Sequence, residues 1–285
     1  MSEPQKGKAK LGWSLEERDR DFINLIMPIL EWLYYYYFRV ETSGWENIPT
    51  DEKVLFVGSH NGGWAAPDML MMIYDGFRRF GMEYPIYGLM HPKAWQASPE
   101  FASMVAKVGA IVAHPKMAKA AFDKGASVLV YPGGIQDIFR LYSQRHQIHF
   151  AGRKGFIKLA VRENVPIIPL ISTGAHDTLF IFADIYNLMQ QLHLWGMPWL
   201  LGIDPEVFPL YLGLPWGLGI GPFPNIPFPI KIHTRVCPPI VFEKYGFEAA
   251  RDRAYVDSCY DMVVSKMQWE LDALVRETQS YIKDK

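Results

Sequence analysis

From Gly44 onward, short uninterrupted apolar runs alternate with longer segments whose apolar residues recur at helical spacing. The runs VLFVGS (54–59), YPIYGL (84–89), GAIVAH (109–114), SVLVYPGG (127–134) and VPIIPLIS (165–172) read as strands, and KIHTRVCPPI (231–240) adds another. Between them DMLMMIYDGFRRF, SPEFASMVAKV, PKMAKAAFDKG and GFIKLAVREN read as helices, with Lys124-Gly125 and Asn164 as stop signals. A final helix, from about Arg251 to Ile282, carries Val256, Tyr260, Val263, Met267, Leu271 and Leu274 on one face. Strands apolar on both sides that alternate with helices predict an α/β fold: a mainly parallel sheet flanked by helices, closed by that long C-terminal helix.

Two stretches depart from this rhythm. The first is FINLIMPILEWLYYYYF, Phe22 to Phe38, apolar almost all round but interrupted by Asn24, Pro28 and Glu31. A spanning helix needs roughly 20 predominantly apolar residues, so this one is too short and too broken to cross a bilayer. It either lies in one leaflet as an interfacial helix, its tyrosines at the headgroup boundary, or packs on the domain's own core. The chain accordingly divides into an N-terminal interface-helix region, 1–43, and a single α/β domain, 44–285. The second stretch, Ile185 to Ile230, is dense in Trp, Leu, Pro and Gly, and its prolines forbid one continuous helix. Irregular backbone bearing these side chains suits an acyl-chain tunnel, a surface dipping into lipid, or a long packed loop.

Composition narrows the partners. The 285 residues carry 29 Lys+Arg against 30 Asp+Glu, so no global field draws in nucleic acid. Nine Trp, 15 Tyr and 17 Phe exceed what an ordinary soluble core needs. The opening residues SEPQKGKAK and LEERDRD lack the pattern of a secretory signal. Cys237 and Cys259 have neither a paired nor a metal-ligand spacing and read as buried thiols in a reducing compartment. No metal site is expected.

In parallel α/β sheets functional groups gather beyond the carboxyl ends of the strands. His60 sits there, after VLFVGS, and can remove a proton near neutral pH if a carboxylate steadies its second ring nitrogen. Asp68 is the nearest candidate, and Gly62 and Gly63 allow the loop to fold back. Asp68 also suits the start of a helix behind Pro67. Gly133 and Gly134 after SVLVYP either let backbone approach a ligand or simply form a tight turn, and Asp137 either contacts substrate or caps a helix. His176, after VPIIPLISTG, either lines the pocket or is hydrogen-bonded structure, as are His91 and His114 at other strand ends.

The order His-loop-Asp, a strand ending in Pro-x-Gly, then Val-Pro-x-x-Pro resembles the glycerolipid (lysophospholipid) acyltransferase superfamily. "YPGGIQDIF" followed by "GRKGFIKLAVRENVPIIPLIS" is most similar to its type-2 diacylglycerol acyltransferase-like branch. The likeness covers about Val54 to Ser172 and makes 44–285 an acyltransferase domain. It implies transfer of a fatty acyl group from acyl-CoA or acyl carrier protein to a hydroxyl, with no further cofactor. His60 would be the base and Asp68 its partner. Asn61, Gly133, Gly134, Asp137, Arg140, Arg153, Lys154 and His176 would contact substrate. Arg153 and Lys154 at a helix start would hold coenzyme A phosphates, or form a solvated charge cluster.

Three departures shape the expectation. His60 and Asp68 are separated by seven residues, where the family pattern has four. The Glu and Arg of the family's Phe-Pro-Glu-Gly-Thr-Arg segment are replaced by Gly133 and Gln136. The Arg after the Gly-Ala strand is absent from GAIVAHPK, where Lys116 alone is near. Phosphate recognition calls for such cations, so the resemblance points to a neutral acceptor: a mono- or diacylglycerol, a long-chain or isoprenoid alcohol, or a quinol. Acylation of a lysophospholipid or 1-acylglycerol-3-phosphate, and lipid binding without catalysis, are the alternatives. A hydrolase is disfavoured, because no Gly-x-Ser-x-Gly elbow occurs. The expected location is the cytoplasmic face of a membrane. Oligomeric state is not legible.

Overall fold

The apolar runs become strands whose successive side chains feed two separate cores. The structure is a computed structural model describing residues 10–283 apart from Thr50, Ala97, Leu200, Leu201 and Ile203. It runs α1 (Arg20–Trp32), β1 (Glu41–Ser43), β2 (Leu55–Gly58), α2 (Pro67–Phe80), β3 (Ile86–Met90), α3 (Pro99–Val108), β4 (Ala110–Val112), α4 (Pro115–Asp123) and β5 (Ser127–Val130). It continues through α5 (Gly134–Ile138), α6 (Gly155–Glu163), β6 (Ile167–Thr173), β7 (Phe180–Asp184), α7 (Tyr186–Leu194), β8 (Pro209–Gly213), β9 (Gly217–Ile220), β10 (His233–Val236), α8 (Phe247–Arg251) and α9 (Arg253–Lys283). The main sheet has the order β1-β10-β6-β2-β5-β3-β4. Strands β6, β2, β5, β3 and β4 run parallel, while β10 opposes β6 and β1 runs with β10. The mainly parallel sheet flanked by helices is the one expected.

On one face Leu55, Val57, Val128, Ile167 and Ile171 pack with Phe122 of α4, Ile157 of α6, and Val263 and Met267 of α9. On the other Phe56, Leu129, Ile168 and Leu170 pack with Met72 of α2. Every residue of β2 and β6 is buried, which is why these strands read as continuous rather than alternating apolar runs.

The Phe22–Phe38 segment is not one helix: α1 stops at Trp32 and a single π turn follows over Leu33–Tyr37. Leu30, Tyr34 and Phe38 pack on Met71 and Tyr74 of α2, whereas Leu25, Ile29, Trp32 and Tyr36 are exposed. One face is committed to the core and a second apolar face is left open. Among the described residues no helix is long and apolar enough to cross a membrane.

The stretch Ile185–Ile230, expected to be irregular, contains α7 and a β-hairpin instead. Strands β8 and β9 pair antiparallel and extend from β7 as a second, three-stranded sheet. Its inner side is organised by Tyr211, wholly buried. A Cβ on Gly219 would collide with that ring, and one on Gly213 would crowd Leu179 and the same ring. These glycines are the space into which the tyrosine lies.

Gly174 follows β6 with φ +81°, and a Cβ there would run into the backbone carbonyl oxygen of Lys231. Both strain and collision fall on backbone. Gly174→Ala should lower the unfolding free energy by about 2 kcal/mol or more, measured by urea denaturation.

Candidate active site

Because β2 lies between β5 and β6, all parallel, three segments leave the sheet side by side at its carboxyl edge. They carry His60, the Tyr131-Pro132-Gly133-Gly134 turn, and Gly174-Ala175-His176. The loop after His60 doubles back through three left-handed residues, Gly62 (φ +78°), Gly63 (φ +67°) and Ala66 (φ +43°). A Cβ on Gly62 would approach Pro67 Cδ and Thr178 Oγ1 to 2.7 Å, so the tight return needs glycine. Pro67 then opens α2 and Asp68 falls in its first turn, where the helix dipole favours a carboxylate.

This return places Asp68 Oδ1 3.6 Å from His60 Nδ1. Each is a buried atom with no other partner, so the two face each other just beyond hydrogen-bond length. Asp68 Oδ2 accepts from Asn61 Nδ2 at 3.2 Å, and the same amide donates to Ser59 O and Ser172 Oγ. The His60 side chain is 16% exposed against 4% for Asp68. One ring edge is therefore turned to the carboxylate while the imidazole keeps access to the outside. Tyr131, not among the expected site residues, lies against the ring with centroids 4.5 Å apart. Gly58 makes room for it, since a Cβ there would strike the tyrosine ring. Nothing in the Tyr-Pro-Gly-Gly turn marks the tyrosine itself; only adjacency of β2 and β5 brings the rings together.

Asp137 and Arg140 form a buried ion pair beneath this loop, their side chains 0% and 2% exposed. Asp137 Oδ2 accepts from the His60 backbone N–H at 2.5 Å. Arg140 donates from one terminal nitrogen to His60 O and Asp137 O, each at 3.0 Å, and from the other to Asn61 Oδ1 at 2.6 Å. Burial pushes the Asp137 carboxyl up to about 6, against the opposing pull of Arg140 and the His60 N–H. His176 Nε2 donates to Arg140 O at 2.9 Å. Burial holds this imidazole neutral, its pKa brought down to about 3 with the Arg140 charge adding to the effect.

His60, Asn61, Asp68, Asp137, Arg140 and His176 thus converge. The glycines of the turn are sterically required: a Cβ on Gly133 would collide with Asp137 and with His149 O. Gly134 has φ +56° and lies under Arg153. Arg153 donates to Pro132 O and Gly133 O and ion-pairs with Glu206, so it braces the turn. Lys154 stands apart from the cluster, paired with Asp257 of α9 at 2.8 Å. Among the described residues no group of three or more His, Cys, Asp or Glu converges as a metal-ligand set.

A family model described as diacylglycerol acyltransferase matches residues 104–253. Uncharacterized proteins of Mycobacterium bovis and Mycobacterium tuberculosis are 26% identical over 256 residues, covering 88% of this chain and 66% of theirs. One of Mycobacterium leprae is 26% identical over 252 residues, covering 88% and 64%. The chain spans just under two thirds of the length of these relatives. Among solved structures, the 1-acyl-sn-glycerophosphate acyltransferase PlsC of Thermotoga maritima is 16% identical, covers 86% of this chain and 79% of its own, and superposes with a TM-score of 0.46.

The buried His176 sets a pH dependence. Below its ordinary pKa of 6.5 the unfolded chain takes up a proton that the folded chain refuses until about pH 3, so stability falls with pH across that window. A His176→Gln variant retains an amide donor for Arg140 O and lacks the proton mismatch. Wild-type stability relative to this variant should decline from about pH 7 to about pH 5, read from urea unfolding at each pH. A difference that stays flat would mean the imidazole is not held neutral.

Proposed function

Because the chain belongs to the diacylglycerol acyltransferase family, we propose that it is an O-acyltransferase using His60 as general base. It moves a fatty acyl group from an acyl thioester, of coenzyme A or acyl carrier protein, to the hydroxyl of a neutral lipid. The observation that carries the reading is the facing pair of otherwise unpartnered atoms, His60 Nδ1 and Asp68 Oδ1 at 3.6 Å, on a ring that retains outside access.

The imidazole removes the hydroxyl proton as the acceptor oxygen attacks the thioester carbonyl. Asp68 steadies the imidazolium that forms. Collapse of the tetrahedral intermediate breaks the C–S bond, and the proton passes from His60 to the departing thiolate. Backbone amides of the Gly133-Gly134 turn are candidates to face the developing oxyanion. A covalent thiol route has no support, since Cys237 and Cys259 are buried and burial pushes both thiols upward.

A neutral acceptor, such as a mono- or diacylglycerol, a long-chain or isoprenoid alcohol, or a quinol, is favoured by the state of the cations expected to contact substrate. Arg140 is buried in its pair, Arg153 is spent on turn carbonyls, and Lys154 is paired with Asp257. Membrane association is proposed on exposed apolar side chains of α1 and of the segment around β8 and β9, the latter tied to the His60 loop by the hydrogen bonds of the 222–227 stretch. Trp64 Nε1 donates to Pro222 O, Asn225 Nδ2 to Gly62 O, and Tyr37 Oη to Pro227 O. Leu212, Leu218 and Ile220 of the hairpin and, separately, Leu25 and Ile29 of α1 are exposed.

Mass spectrometry of products from a panel of neutral lipid alcohols, lysophosphatidate and both donor types tests the reading. Ester from a neutral alcohol is expected; free fatty acid alone would make the protein a hydrolase, and no product a lipid binder. His60→Ala should fold normally and lose about 10²–10⁴-fold in turnover; near-normal ester formation would overturn the assignment. Leu218→Asp with Ile220→Asp should reduce co-sedimentation with phosphatidylcholine vesicles by about tenfold or more, at unchanged circular dichroism.

A further inference from the structure

We propose that the Asp137–Arg140 pair is a positioning device for His60, holding that residue by its own backbone instead of contacting substrate. The inference rests on His60 being the base. Its ground is that both backbone polar groups of one residue, His60, end on this single ion pair: the N–H on Asp137 Oδ2 and the C=O on a terminal nitrogen of Arg140. The second terminal nitrogen takes Asn61 Oδ1, and the amide of Asn61 in turn reaches Asp68 Oδ2. One guanidinium therefore sets the base directly and its carboxylate partner through a single intervening side chain.

Two further facts separate this role from substrate binding. Both side chains are enclosed, and Arg140 Nε, its one nitrogen without a partner, is buried as well. Arg140 is also fixed from behind, because His176 donates to its carbonyl oxygen. Three strand exits, those of β2, β5 and β6, are thereby locked into one frame. The 3.6 Å gap between His60 and Asp68 makes this frame matter, since no strong hydrogen bond between the two sets the ring. Orientation is left to the backbone that carries it.

The planar guanidinium presents several donors in a fixed fork, whereas a lysine ammonium offers one point. Arg140→Lys keeps the charge opposite Asp137 but cannot serve His60 O and Asn61 Oδ1 in the same geometry. Its kcat should fall about 10- to 100-fold, with KM for donor and acceptor within about twofold of wild type. The assay uses palmitoyl-coenzyme A and whichever panel alcohol the wild type esterifies fastest. The doubly substituted Asp137→Asn, Arg140→Gln chain removes both buried charges, guards against misfolding of the single variant, and should show the same split. A raised KM with kcat retained would make the pair a substrate contact and overturn the proposal, as would wild-type turnover. Failure of both variants to fold would also overturn it, by reducing the pair to a fold requirement. If His60→Ala stays active, the general-base reading itself fails. If His60→Ala is inactive while Arg140→Lys turns over normally, the positioning role alone is lost.

Discussion

The loop that carries His60 is anchored by two opposite charges kept from water. Burying a lone carboxylate or guanidinium costs several kcal/mol, and Asp137 and Arg140 offset that cost through their mutual contact and through bonds to His60 and Asn61. Removing either partner strands the other. The segment after β5 therefore cannot drift away from the segment after β2. The remaining features of the carboxyl edge, including the approach of Asp68, the tilted contact of Tyr131 with the His60 ring and the neutral state of His176, are arranged around that fixed point.

The spacing of His60 and Asp68 shows how backbone conformation substitutes for sequence distance. Seven intervening residues would carry an ordinary loop well past the histidine. The left-handed turns at Gly62, Gly63 and Ala66 fold the excess back, and Pro67 starts α2 with the carboxylate already in its first turn. The interval is long, yet its two ends come to 3.6 Å from each other.

Much of the fold was legible because the strands buried on both faces leave an unmistakable pattern, and the strand ends then point to His60, the Gly133-Gly134 turn and His176. The hairpin of β8 and β9 was not legible. Its prolines and glycines obscure any strand pattern, and the purpose of Gly213 and Gly219, admitting Tyr211, exists only once the strands are paired. The same holds for Tyr131, whose nearness to His60 follows from strand order and not from any neighbour in sequence. Arg140 and Arg153 look alike as cations beside a glycine turn. Burial separates them: Arg140 is enclosed with Asp137, while Arg153 holds two turn carbonyls from a partly exposed position. Such distinctions depend on which polar group ends up inside, and composition does not encode that.

The two enclosed cysteines have a practical bearing on how turnover could be followed. Cys237 and Cys259 are shielded and their sulfurs held in the protonated state, so the native chain is a poor target for electrophilic dyes. Any sulfhydryl liberated from a donor would then be the dominant group reacting with such a dye, and a continuous colorimetric trace could be recorded without masking the enzyme first.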